Sequence, residues 1–182
     1  MAFNINAFQA ALKFGGAKSS LFQVTLTNPI NGAGDILIPF MVRSAAIPPS
    51  ILATQEVPYF GRRVKQPGNR QFEPWNVTAY NDEDFVVRNA LEEWSNSMNT
   101  MGGNLRNLSS SSHLLYSSTA QVTQFSKTGI PLRTYNFVGI FPSIVGQIDL
   151  DWEAEGVQQF PVTFEYQYWE VTGGITGNGG GS

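Results

Sequence analysis

The chain has 182 residues, no cysteine, one histidine and a formal net charge of −3, with 13 Phe, 6 Tyr and 4 Trp against only 14% charged residues. The missing cysteines exclude disulfides, thiolate chemistry, cysteine-ligated zinc and iron–sulfur clusters, and a lone His113 excludes a multi-histidine metal site. The charge balance leaves no global basic footprint for nucleic acid, and so low a charged fraction points to surface covered by sister subunits.

The first residues, MAFNINAFQAALKFGG, carry a short helical stripe (Phe3, Ala7, Ala11, Phe14) that Gly15-Gly16 stops. They lack a basic n-region and a cleavage site, so no signal peptide is expected. No stretch approaches ~18 continuous apolar residues, so no membrane anchor is expected, and the expectation is a soluble protein made in a reducing compartment or at least indifferent to redox state. Leu21 to Thr27 alternates as a half-buried strand, with Phe22, Val24 and Leu26 on one face and Gln23, Thr25 and Thr27 on the other. After a turn at Asn31–Asp35, the apolar run Ile36–Arg43 reads as a strand that Pro39 confines to an edge or bulge.

Ala45 to Arg70 contains Pro48, Pro49, Pro58 and Pro67 yet has strand character around Tyr59-Phe60-Gly61-Arg62, which predicts a long extended hairpin arm. Between Arg43 and Arg70 stand five bases (Arg43, Arg62, Arg63, Lys65, Arg70) and one acid, Glu56. Phe72–Tyr80 reads as a strand. A helix over about residues 82–101 follows, capped by Asn81 or Asp82, with Val87, Leu91, Trp94, Met98 and Met101 on one stripe and Asp84 paired to Arg88. Asn104–Ser118 reads as an exposed polar loop holding a serine run and His113, and Thr119–Phe125 and Arg133–Phe141 as strands. Ile148, Leu150 and Trp152 alternate with Asp149, Asp151 and Glu153, which predicts a strand paired in a hairpin with Phe160–Trp169. Residues 173–182, GGITGNGGGS, read as a flexible tail after a single domain over 1–172. The sum is a mainly β protein: a β-barrel or sandwich of two packed antiparallel sheets with one flanking α-helix.

Chemistry is sparse. A Ser–His–Asp triad could use only His113, which stands alone in its serine run. Asp149, Asp151, Glu153 and Glu155 at i,i+2 spacing would share one strand face, where a calcium site or a glycosidase pair competes with a solvated or partner-facing acidic surface. The partner-facing reading is favoured, because the calcium-loop pattern is missing. No phosphate-binding loop is present, Asn76-Val77-Thr78 is read as a chance acceptor motif, and the aromatic run Phe160–Tyr168 is read as core rather than a sugar platform. Charge is segregated: after Arg133 there is no Lys or Arg, while Asp149, Asp151, Glu153, Glu155, Glu165 and Glu170 are acidic. A positive arm and a negative body can pair head to tail between copies, closing into rings or running on as filaments.

The residues resemble the tail tube proteins of contractile-tailed bacteriophages over nearly the full length. The likeness is carried by Leu21-Phe22-Gln23-Val24, Ala45-Ala46-Ile47-Pro48, Val57-Pro58-Tyr59, Gly61-Arg62-Arg63-Val64-Lys65 and Pro67-Gly68-Asn69-Arg70. It continues through Trp75-Asn76-Val77-Thr78, Asn81-Asp82-Glu83, Arg88 and Trp94, then Gly139-Ile140-Phe141-Pro142, Leu150-Asp151-Trp152, Gln159-Phe160-Pro161-Val162-Thr163 and Tyr168-Trp169-Glu170. The serine run and the glycine tail lie outside it. The resemblance implies six-membered rings stacked into a hollow tube, with the inner sheets of the copies joined around a lumen. It implies a contractile sheath outside, baseplate or tube-initiator and terminator proteins at the ends, and viral DNA passing through without specific binding. It also implies a virion protein assembled in the host cytoplasm, with no cofactor, no metal and no covalent chemistry. The arm over about 45–70 would reach neighbouring copies, with Val57, Pro58, Tyr59, Phe60, Arg62, Arg63, Lys65 and Arg70 at the interface and Tyr59 and Phe60 as anchors. Each subunit contact should exceed ~2,000 Å². A conduit must not hold its cargo, so the lumen is expected to be neutral or acidic and the arm's bases to face protein. The alternatives are a tube initiator of the same fold, a carbohydrate-binding tail adhesin, and a glycan hydrolase built on Asp149 and Asp151.

Overall fold

The computed structural model describes residues 4–106, 112–173 and 176. Most of the serine run and most of the glycine tail lie outside the described residues. The elements run α1 (Ile5–Ala11), β1 (Phe22–Leu26), α2 (Ile38–Met41), β2 (Val42–Ala45), β3 (Ile51–Tyr59), β4 (Arg62–Gln71), β5 (Trp75–Tyr80), α3 (Val86–Met98), α4 (His113–Tyr116), β6 (Ser118–Phe125), β7 (Pro131–Val145), β8 (Gln159–Glu165) and β9 (Tyr168–Val171). The mainly β, antiparallel expectation holds.

Seven strands make one sheet in the order β1-β6-β7-β8-β5-β2, with β9 added to β7. The sheet folds over on itself because β7 is long and serves two layers. Its first part pairs with β6 and β9, and its last part, Phe141–Val145, pairs with β8. The first layer is therefore β1-β6-β7-β9 and the second β7-β8-β5-β2. The turning point is Gly139, at φ +70°, where a Cβ would sit 2.7 Å from the Gln167 side chain; only glycine meets both demands. At its far end β7 delivers Gly146, whose N–H donates to Pro161 O at 2.7 Å and where a Cβ would strike that same proline. No ladder joins β1 to β2 among the described residues, so the expected barrel is not closed.

The space between the layers is filled by the inward residues of each strand. Val24 and Leu26 face Val122 and Ala120 across β1 and β6, and Trp75, Val77 and Ala79 face Phe164, Val162 and Phe160 across β5 and β8. Trp75 stacks on Phe137 with ring centroids 4.5 Å apart. Helix α3 adds Val87, Leu91 and Trp94 from one stripe, and the Trp94 indole donates to Tyr116 O at 2.7 Å. A helix with one apolar stripe closes such a core without exposing polar backbone.

Several local expectations are corrected. The run Ile36–Met41 is mostly a helical turn, α2, with Pro39 in its first turn, where a missing N–H is no loss. Helix α3 is shorter than 82–101: Phe85 adopts φ 54° just before it and Met101 lies beyond it. Asp82 still serves the start, accepting from the Val86 N–H at 3.1 Å. Arg88 pairs with Glu92 at 2.7 Å instead of Asp84, which precedes the helix. Asn104–Ser118 is not loop throughout, since α4 includes His113. The predicted strand around Leu150 and Trp152 does not form.

Candidate assembly surface

The hairpin β3–β4 forms a two-stranded sheet that hydrogen-bonds to no other strand. Only Ile51, Ala53 and Gly68 in it are even half-buried. Its register pairs Tyr59 with Arg62, Val57 with Val64, Pro58 with Arg63 and Glu56 with Lys65. Alternation therefore gives it a largely apolar face with Val57, Val64 and Tyr59, which Arg62 shares, and a charged face with Arg63, Glu56 and Lys65. Arg63 meets Glu56 at 3.1 Å, and Arg70 donates to Ser50 Oγ at 2.5 Å. The tip is a two-residue turn, Phe60-Gly61, with φ of 43° and 77°. Left-handed backbone at both turn positions suits Asn-Gly or Gly-Gly. Here a phenylalanine takes the first one, 92% exposed, touching Tyr59 edge-on at 4.8 Å. An isolated hairpin is marginal in water, and nothing among the described residues covers its apolar face. The expected arm begins later than Ala45, because Val42–Ala45 is β2 and pairs with β5.

The acidic stretch lies between β7 and β8. Asp149, Asp151, Glu153 and Glu155 are all exposed and make only local bonds, such as Gln147 Nε2 to Asp149 Oδ1 at 3.1 Å and the Glu153 N–H to Asp151 Oδ1 at 3.0 Å. They do not share a strand face, so the geometry that calcium binding or a glycosidase pair would need is not formed. Between them, Leu150 is 82% exposed and Trp152 is exposed completely. Val145 pairs with Val162 at the end of the β7–β8 ladder, and the connection 146–158 that follows joins no strand among the described residues.

His113 offers Nδ1 to Ser117 Oγ at 2.9 Å and Nε2 to Gln167 Nε2 at 3.2 Å, with no carboxylate to hold the ring for base catalysis. Most of the aromatic run Phe160–Tyr168 is core: Phe160 and Phe164 are buried and the Tyr166 hydroxyl donates to Glu73 O at 2.7 Å, while Tyr168 on β9 is exposed. Burial, together with the charges of Glu165 and Glu73, pushes the Tyr166 phenol up to about 12. A sugar platform would need these rings exposed. Asn76 points outward and accepts from Thr163 Oγ1 at 2.9 Å.

A third surface stands out in the structure, the outer face of the β1-β6-β7-β9 layer. One row across it is Thr25, Gln121, Asn136 and Glu170. The next is Gln23, Thr123 and Thr134, where the two threonine hydroxyls meet at 3.2 Å. These two rows hold amides, hydroxyls and one carboxylate, with no lysine or arginine. Arg133 points to the opposite face, over the Tyr135 ring. Half of this pattern was visible in the alternation of Gln23, Thr25 and Thr27; its width comes from registers that no local signal encodes. The layer's outer borders, β1 and β9, contain no proline and no register shift. The other layer's borders are blunted: β2 is bulged next to Arg43, and the last part of β7 carries Pro142 beside a register shift.

Comparison with known proteins gives these surfaces a context. The phage tail tube protein family matches residues 4–172. The tail tube protein gp19 of Enterobacteria phage T6 is 27% identical over 133 residues, covering 72% of this chain and 80% of that protein. The tail tube protein of Serratia phage KSP90 is 25% identical over 170 residues, covering 89% and 93%. Among solved structures, a chain of the anti-feeding prophage tube-terminating cap aligns with TM-score 0.61 at 19% identity over 86% of this chain and 90% of that one. A chain of the sheath–tube complex of the extracellular contractile injection system PVC aligns with TM-score 0.58 at 16% identity, covering 91% and 96%.

Proposed function

The chain belongs to the phage tail tube protein family, and we propose that it works by assembling with copies of itself into stacked six-membered rings that form the inner tube of a contractile tail. Tail tube proteins are structural components of phage tails. In this reading a contractile sheath surrounds the tube, a baseplate initiator and a terminator bound it, and viral DNA passes along the lumen during ejection. The solved neighbours that hold a sheath–tube complex, a tube cap and a baseplate support these partners. Assembly takes place in the host cytoplasm. The domain spans 1–172.

The observation that carries the reading is the β3–β4 hairpin: an amphipathic, basic element whose apolar face has no partner among the described residues. Val57, Pro58, Tyr59, Phe60, Arg62, Arg63, Lys65 and Arg70 belong to the contact between copies. The unblunted borders β1 and β9 supply the other contact. The four strands of that layer alternate in direction, so β9 of one copy meets β1 of the next antiparallel, as in every other ladder of the sheet. Ring closure then leaves no free border to aggregate. The amide and hydroxyl face lines the lumen. DNA phosphates passing it meet no fixed cation, and weak attachments that would add up ring after ring are avoided.

Electron microscopy of the purified protein, with and without its baseplate, tests this. Rings or tubes of uniform bore are expected. A protein that stays monomeric at high concentration with the baseplate present would refute the proposal.

A further inference from the structure

The hairpin's partner surface can be named from charge and exposure. We propose that the Leu150–Trp152 segment of one copy seats against the hairpin tip of a second copy, Tyr59 and Phe60 packing on Trp152 and Leu150 while Arg62, on the same hairpin face as Tyr59, lies against Asp151 and Glu153, with Arg63 and Lys65 adding positive charge from the opposite face. The inference rests on the tube-subunit reading above and specifies which surfaces meet.

Trp152 is the most exposed large apolar side chain among the described residues, and Leu150 is next to it on the same segment. Side chains of that size are the usual anchors of protein contacts. The segment 146–158 has four acids and no base, whereas the hairpin has four bases and one acid. Arg63 alone is answered within the hairpin, by Glu56. A guanidinium over an indole face adds a directional attraction to the charge pairing. The hairpin tip also holds Phe60 in left-handed backbone with almost no contact inside the chain. That conformation is unfavourable for a phenylalanine, and it presents the ring outward beside Tyr59.

A competing receptor exists. Phe14, Phe125, Ile130 and Leu132 line an apolar groove at the β6–β7 turn, but Lys18 and Lys127 flank it. Against a hairpin with bases at its own tip, that groove brings like charges together, which disfavours docking. The acidic segment is the complementary choice. The contact is heterologous, hairpin to segment, so it propagates from copy to copy.

The absence of cysteine makes a clean test. Differently tagged Phe60→Cys and Trp152→Cys variants are mixed, assembled and treated with a short bismaleimide. Mixed tubes should yield mixed-tag covalent dimers, and neither variant alone should cross-link. In parallel, the Arg62→Glu/Arg63→Glu and Asp151→Lys/Glu153→Lys pairs should each raise the concentration needed for assembly by at least about tenfold, and combining all four should restore it to within about threefold. Mixed tubes without mixed-tag dimers, cross-linking of Phe60→Cys to Ile130→Cys instead, or no restoration in the combined variant would overturn the inference while leaving the tube reading standing. Failure of the unaltered protein to form any ring or tube would remove the reading and the inference together.

Discussion

Two regions of this molecule are equally rich in large apolar side chains and treat them in opposite ways. Between the sheet layers, Trp75, Phe137, Phe160 and Trp94 are buried almost completely, and Trp75 stacks on Phe137. On the hairpin and the β7–β8 connection, Tyr59, Phe60, Leu150 and Trp152 stand in solvent. Under the proposed function, the chain's folding and its assembly draw on separate residues: the first set makes the body, and the second is left for contact between copies. Substitutions can therefore separate the two properties.

The largest effect belongs to the body. Phe137→Ala removes a ring packed between Trp75 and Tyr166 and should cost about 3–5 kcal/mol, read as a lower denaturant midpoint, with assembly lost because the body is lost. Gly139→Ala comes next. It puts a side chain at φ +70° and against Gln167, so a loss of about 1–3 kcal/mol is expected in the same titration, together with loosening of the β7–β9 ladder by hydrogen exchange.

Tyr166→Phe is smaller and dependent on pH. It deletes the hydroxyl bond to Glu73 O, about 1 kcal/mol at neutral pH. The Tyr166 phenol is raised from 10.0 to about 12 in the folded protein. The unfolded chain therefore releases this proton first, and the stability tied to it is present below pH 10 and lost as pH rises through the folded value. Thermal melts should show the gap between the native protein and Tyr166→Phe narrowing above pH 10. A constant gap would place the phenol in a different environment.

The smallest effect on stability sharpens the comparison most. Phe60→Asn suits the left-handed turn position better than phenylalanine does and should leave the melting temperature unchanged or raise it by the equivalent of about 0.5–1 kcal/mol. It should weaken assembly all the same, measured by sedimentation. A variant that is both more stable and as competent to assemble would show that the exposed ring has no role between copies.

Much of the body was legible in the sequence. The alternations at Phe22–Leu26, Trp75–Ala79 and Phe160–Phe164 became strands with the predicted faces inward, and the stripe Val87, Leu91, Trp94 became the buried side of α3. These signals are local and strong. The failures came where partners decide. Leu150 and Trp152 alternate as well as any strand, but the chain leaves the β7–β8 ladder at Val145, and 146–158 pairs with no strand among the described residues. Ile36–Met41 is apolar and short, a pattern that helix and strand share, and Pro39 fits a first helical turn as well as a strand edge. The double service of β7 turns on Gly139, a single glycine whose meaning depends on Gln167 far along the chain. The surface proposed for assembly shows in the sequence as charge segregation and as the run around Tyr59 and Phe60. The outer polar face was only half visible, since registers between β1, β6, β7 and β9 create it.

The separation of folding from assembly is tested most directly by deleting Pro58–Arg63 and measuring melting temperature and sedimentation on the same sample. The hairpin hydrogen-bonds to no other strand, so the deleted protein should melt within about 2 °C of the full chain while forming no tubes. Normal tubes from the deleted protein, or a melting temperature that collapses with the hairpin, would contradict the account.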